Sequence, residues 1–157
     1  MTRLDDMLIG GLFSPLAGWL DHRLGLGQWR AALECLNGHV ACYLAGTAFA
    51  IAGKGMRDGI FADLLAALVW LAIIEGVRRA ALRQAGSSIG SQTARLNEWH
   101  FRAIFVVMLP LSLLYVEGWP SGFYAMSLAL LVAHLYFKAC DVPPPTERGR
   151  RHAFHSA

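Results

Sequence analysis

Four stretches of the chain carry few charges and many large apolar residues. They cover about residues 31–53, 60–76, 101–118 and 122–139. A bilayer core of roughly 30 Å takes about 20 helical residues to cross. Each stretch is long enough, or nearly so, to be a transmembrane helix. The helical pattern of the second stretch continues past Gly76 through Val77 to Gln84.

The breaks between stretches are short. Gly53-Lys54-Gly55 with Arg57-Asp58-Gly59 reads as a tight polar hairpin, and Gly86-Ser87-Ser88-Ile89-Gly90-Ser91 as a flexible loop. Gly118-Trp119-Pro120-Ser121 is a very short turn in which Pro120 cannot continue the preceding helix and Ser121 is placed to cap the next. Pro110 should kink the third helix. Pro143-Pro144-Pro145 ends the last helix and starts an exposed tail of polyproline character, followed by the basic Arg148, Arg150 and Arg151. A tail of this kind suits a partner or anionic lipid.

The segment Met7 to Gly27 fits no span. Its apolar run is too short, and Pro15 with glycines at 10, 11, 18, 25 and 27 weakens a straight helix. It reads as one or two short interfacial helices lying on the membrane, in preference to a re-entrant element or a fifth span. A signal peptide is not expected, because Asp5 and Asp6 precede the run against a single Arg3 and no small-x-small cleavage site follows. The predicted fold is therefore an all-α integral membrane protein. Residues 1–30 form an interfacial amphipathic segment, 31–140 a compact four-helix transmembrane domain of two antiparallel hairpins, and 141–157 a Pro-rich then basic cytoplasmic tail.

Composition supports this division. Of 157 residues, 55% are apolar and 16% charged, and the mean hydropathy is +0.42. Soluble domains carry roughly 25% charge, so lipid is the natural cover for the excess apolar surface. The net charge of +3 is explained by topology. Twelve basic residues fall on one side of the four spans and only Lys54 and Arg57 on the other. The positive-inside rule then places both termini in the cytoplasm of a multi-pass inner-membrane protein. Trp29, Trp99 and Tyr136 mark the inner boundary, and Tyr115, Trp119 and Tyr124 the outer one. No basic block interleaved with aromatics points to nucleic acid.

Candidate chemistry is sparse. Gly38, Cys42, Gly46 and Ala50 recur every fourth residue of the first span, a small-residue stripe that lets helices approach closely, within the chain or between copies. The same span carries Glu34, Asn37 and His39, and the fourth carries His134; polar groups at membrane depth are costly and often functional. Two histidines on facing helices are the minimum for a bis-His haem, although an interhelical hydrogen bond is the simpler expectation. Glu75 shares a helix face with Arg78 and Arg79 at the inner end of the second span. Asp58, Asp63 and Glu117 make the outer side mildly acidic without metal-site spacing. Glu98, His100 and Arg102 are spread around the start of the third helix and share no face.

Cys35, Cys42 and Cys140 form no CxxC pair, and Cys35 and Cys42 lie about 10 Å apart along a helix, too far for a disulfide. No phosphate loop, GxSxG, HExxH or dinucleotide fingerprint occurs, so no catalytic or metal-binding residue is assigned. The leading functional expectation is a non-enzymatic assembly, accessory-subunit or regulatory protein that contacts membrane lipids and either itself or another membrane protein. An oligomeric pore, holin-like or transport protein is one alternative, and an inner-leaflet enzyme or haem or quinone redox protein the other. The leading expectation needs no cofactor.

Overall fold

The apolar stretches fold into helices, and the chain between them is more ordered than its glycines suggest. A computed structural model describes residues 3–54, 59–85, 87 and 89–140. The polar hairpin at 55–58 and the Pro-rich and basic tail at 141–157 lie outside the described residues. In order these are α1 (Arg3–Leu8), a π-helical turn (Ile9–Phe13), α2 (Ser14–Leu24), α3 (Gln28–Lys54), α4 (Ile60–Ala85), α5 (Gly90–Asn97), α6 (Trp99–Leu114) and α7 (Trp119–Ala139). No strand occurs among them.

Helices α3, α4 and α7 are long and apolar enough to cross a membrane. Helix α6 is apolar but has only 16 residues, about 24 Å by the rise per residue. The stretch expected to run to residue 118 stops at Leu114 because Tyr115–Gly118 turns the chain back. Gly118 takes a φ of 143°, and Pro120 follows within the first turn of α7. Ser121 ties this turn together. Its hydroxyl accepts from the Glu117 N–H at 2.9 Å and donates to the Gly118 carbonyl at 3.0 Å, and no side chain caps α7.

The N-terminal segment is a continuous helical arm. Gly10 and Gly11 fall inside the π-helical turn, and Pro15 sits in the first turn of α2, where its missing N–H costs nothing. Gly25, at a φ of 64°, stops α2, with its N–H bonded to the Asp21 carbonyl at 3.1 Å. The arm wraps the end of α7. Ile9 and Ala17 are buried, and Phe13 stacks on Tyr136 at 4.8 Å and meets Phe137 edge-on at 5.4 Å. Its opposite side exposes Leu4, Met7, Leu12, Leu16 and Trp19.

Helix α7 is the hub of the packing. Every residue from His134 to Cys140 is buried. Helix α3 runs antiparallel along it: Thr47 meets Tyr124, His39 meets Ser127 and Ala32 meets His134, so numbers rise on one helix as they fall on the other. Helix α4 lies on another side of α3, where Leu36 and Ile74 share a buried cluster with Leu131. Helix α5 begins at Gly90, inside the expected flexible loop. A Cβ on Gly90 would collide with the Gln84 carbonyl and come within 3.2 Å of the Trp29 ring, so glycine alone lets α5 fold back under α4.

Candidate functional site

The small stripe of α3 is consumed inside the chain. A Cβ on Gly38 would lie 3.1 Å from Leu130, and one on Gly46 would lie 3.1 Å from the Tyr124 ring and 3.2 Å from the Pro120 carbonyl oxygen. Cys42 and Ala50 are partly buried on the same helix. Small residues here let α7 approach the α3 backbone.

His39 sits at the junction of three helices. Its Nε2 accepts from the Trp70 indole N–H of α4 at 3.1 Å. The proton must then be on Nδ1, which donates to the Ser127 carbonyl of α7 at 2.9 Å. The Ser127 hydroxyl lies 2.8 Å from the same nitrogen and donates back to the His39 carbonyl at 3.2 Å. Two turns along α3, the Thr47 hydroxyl donates to the Tyr43 carbonyl at 3.0 Å and sits 3.2 Å from the Tyr124 hydroxyl. Tyr43 also packs on Trp70 and Tyr124, with ring centroids 6.1 and 5.6 Å apart. The arrangement is a polar and aromatic rivet joining α3, α4 and α7.

His134 belongs to a different place. Its Nδ1 bonds the Ala32 carbonyl at 2.7 Å, and its Nε2 is buried without a hydrogen-bond partner among the described residues. Ser127 and His134 are seven residues apart on α7, about 10 Å along the axis. The two histidines are therefore anchored at different levels and are not brought together as one site. No group of three or more His, Cys, Asp or Glu among the described residues could hold a metal ion.

Buried charge concentrates around the end of α7. Arg102 is fully buried. Its Nε and Nη2 donate to the two Asp5 oxygens at 2.9 and 2.8 Å, Nη1 donates to the Ala94 carbonyl at 3.0 Å, and Nη2 also donates to the Arg95 carbonyl at 2.8 Å. Its guanidinium stands 5.8 Å from the centre of the Tyr136 ring. Lys138 donates to both Glu98 oxygens at 2.8 and 2.9 Å, and the Gln84 amide reaches Glu98 at 3.3 Å. Arg95 pairs with Asp6 at 3.0 Å. Contrary to the expectation of no shared face, Glu98 and Arg102 are one helical turn apart, with the Arg102 N–H bonded to the Glu98 carbonyl at 3.2 Å, and each meets a charge from another element. The sequence signal was the placing of Asp5, Asp6 and Lys138 next to apolar runs.

The remaining candidates face outward. Glu34 and Asn37 are exposed and joined by a 3.4 Å bond from the Asn37 amide. Glu75, Arg78 and Arg79 share a face as expected: Arg79 Nε donates to Glu75 at 2.8 Å, while Arg78 Nη1 stands 3.7 Å from it. A second small stripe lies on α4 at Ala72, Gly76 and Ala80. Helical spacing puts Ala72 and Gly76 opposite Ile74, which is buried against α3. Both are exposed, and a Cβ on Gly76 would meet nothing within 4 Å. The four-residue repeat that marked α3 would have found it.

No family model, curated protein or solved structure matches this chain.

Proposed function

We propose that this chain is a small polytopic inner-membrane protein that acts without catalysis, docking a further helix against α4. The further helix comes from a second copy or from another membrane protein, which makes the chain an assembly, accessory or regulatory component. The observation that carries this reading is the contrast between two small-residue stripes. The stripe on α3 is filled by α7, whereas Ala72 and Gly76 on α4 leave open space at a helix surface. Phe61, Leu64, Leu65, Leu68 and Val69 extend the apolar surface toward the other end of the helix.

In this reading α6 completes a set of four spans, short enough that the bilayer thins or the flanking turn enters it. Both termini face the cytoplasm. Arg102 and Lys138 are neutralised by Asp5 and Glu98 and add little to the positive-inside count, but ten basic residues still oppose Lys54 and Arg57. The N-terminal arm lies along the inner interface, with Trp19 and its neighbouring leucines toward lipid.

The test is mass determination of the protein purified in a mild detergent, with two variants. Wild type is expected as a homo-oligomer or with a stoichiometric partner. Gly76→Leu should give a folded, dissociated monomer, because the side chain enters open space in the free protein. Gly46→Leu should disturb folding instead. A wild-type monomer without a partner, or a complex indifferent to Gly76→Leu, would overturn the proposal.

A further inference from the structure

The seam between α3 and α4 does not close along its whole length. A groove of about 220 Å³ opens there, floored by Leu36, Val40, Leu71 and Ile74 and rimmed by Asn37, Glu75 and Arg78. The helices are antiparallel, so falling numbers on α3 and rising numbers on α4 lead to the same end. The apolar floor therefore leads from Val40 and Leu71 toward a charged mouth.

The mouth carries both signs of charge with spare bonding capacity. Arg79 takes one oxygen of Glu75 at 2.8 Å, while Arg78 Nη1 stands 3.7 Å from the other, too far for a hydrogen bond. Arg78 is half exposed and, beyond its ion pair with Glu75, has donors left for a ligand. A phosphate oxygen has a natural place on Arg78 and Asn37, and an ammonium on the second oxygen of Glu75. The apolar slot behind them has the character of an acyl-chain site. A headgroup with a phosphate alone would leave the second Glu75 oxygen without a hydrogen-bond donor.

We infer that the α3–α4 groove binds a phospholipid whose headgroup joins a phosphate to a primary amine, of the phosphatidylethanolamine class. One acyl chain lies on Leu36, Val40, Leu71 and Ile74, and the headgroup spans Arg78 and Glu75. This rests on the membrane reading above but not on helix docking, because Ala72 and Gly76 lie on the other side of α4.

Native mass spectrometry of the full chain from nanodiscs of equal phosphatidylethanolamine, phosphatidylglycerol and phosphatidylcholine tests it. The amine-bearing lipid should be retained over both others. Arg78→Gln should lower its retention about fivefold. Glu75→Gln should abolish the preference over phosphatidylglycerol. Soluble glycerophosphoethanolamine should not compete, because it lacks the chain. Equal retention of the three lipids, a preference for phosphatidylglycerol, competition by the soluble headgroup, or indifference to Arg78→Gln would each overturn the inference. Resistance of the same protein to alkaline carbonate extraction reads membrane insertion separately, so a failure of the groove is distinguishable from a failure of the membrane reading.

Discussion

Arg102 holds both carboxylate oxygens of Asp5, a residue 97 positions earlier in the chain, at 2.9 and 2.8 Å. This pair fastens the N-terminal arm to the start of α6, and both side chains are buried. A buried ion pair is weak evidence of net stability, but a buried charge stripped of its partner is expensive. Asp5→Asn should therefore destabilise the protein by about 3–5 kcal/mol. Replacing both residues with leucine should cost less than that single change. Thermal unfolding in detergent measures both, and an Asp5→Asn variant as stable as wild type would show that the arm is not held this way.

The Trp70 indole N–H of α4 donates to His39 of α3 at 3.1 Å and ties the two helices together. Trp70→Phe keeps an aromatic ring and removes the donor. Interhelical hydrogen bonds in membrane proteins are worth about 0.6 kcal/mol on average and up to about 1.7. A loss in that range is expected in unfolding, with faster amide exchange in α4 than in α7. Equal exchange in both helices would contradict the role given to His39.

Gly90 lets α5 fold back against the last turn of α4. Gly90→Ala forces a methyl group onto the Gln84 backbone, which has no flexible end to yield. The expected cost is about 1–3 kcal/mol, as for other overpacked sites. An unchanged midpoint in thermal unfolding would show that this contact is looser than the backbone geometry implies.

Gly46 and Gly76 should separate folding from assembly. A side chain at Gly46 meets Phe123, Tyr124 and the Pro120 carbonyl, so Gly46→Leu should push α3 from α7 and lower the yield of folded protein. A side chain at Gly76 meets nothing, so Gly76→Leu should keep the folded yield. Circular dichroism with limited proteolysis checks both, and an unfolded Gly76→Leu would remove the distinction.

Much of the helical layout was legible from hydrophobic runs and breakers. Runs with few charges locate α3, α4 and α7, and the Gly118–Ser121 turn locates the reversal before α7. The third apolar stretch outruns α6 because Tyr115 and Val116 are apolar whether helical or not, and only the backbone of Gly118 decides where the helix stops. The strength of the arm is hidden in the sequence because glycine and proline penalties assume a straight α-helix, whereas a π-helical turn and the first turn of α2 absorb them. Helix α5 was hidden for the same reason: Gly90 looked like a loop residue and is a packing residue. In the candidate site, the stripe on α3 and the face shared by Glu75, Arg78 and Arg79 were visible as local spacing. Pairs such as Asp5 with Arg102, or Glu98 with Lys138, join distant segments, and no local period encodes them.

The most direct test of helix docking on α4 is a photo-crosslinker scan along that helix in native membranes. Positions 65, 72 and 76 should give a discrete protein adduct, while 67 and 74, which face the bundle interior, should give none. Adducts to lipid alone at all five positions, or protein adducts without helical periodicity, would contradict the assignment of α4 as a docking helix.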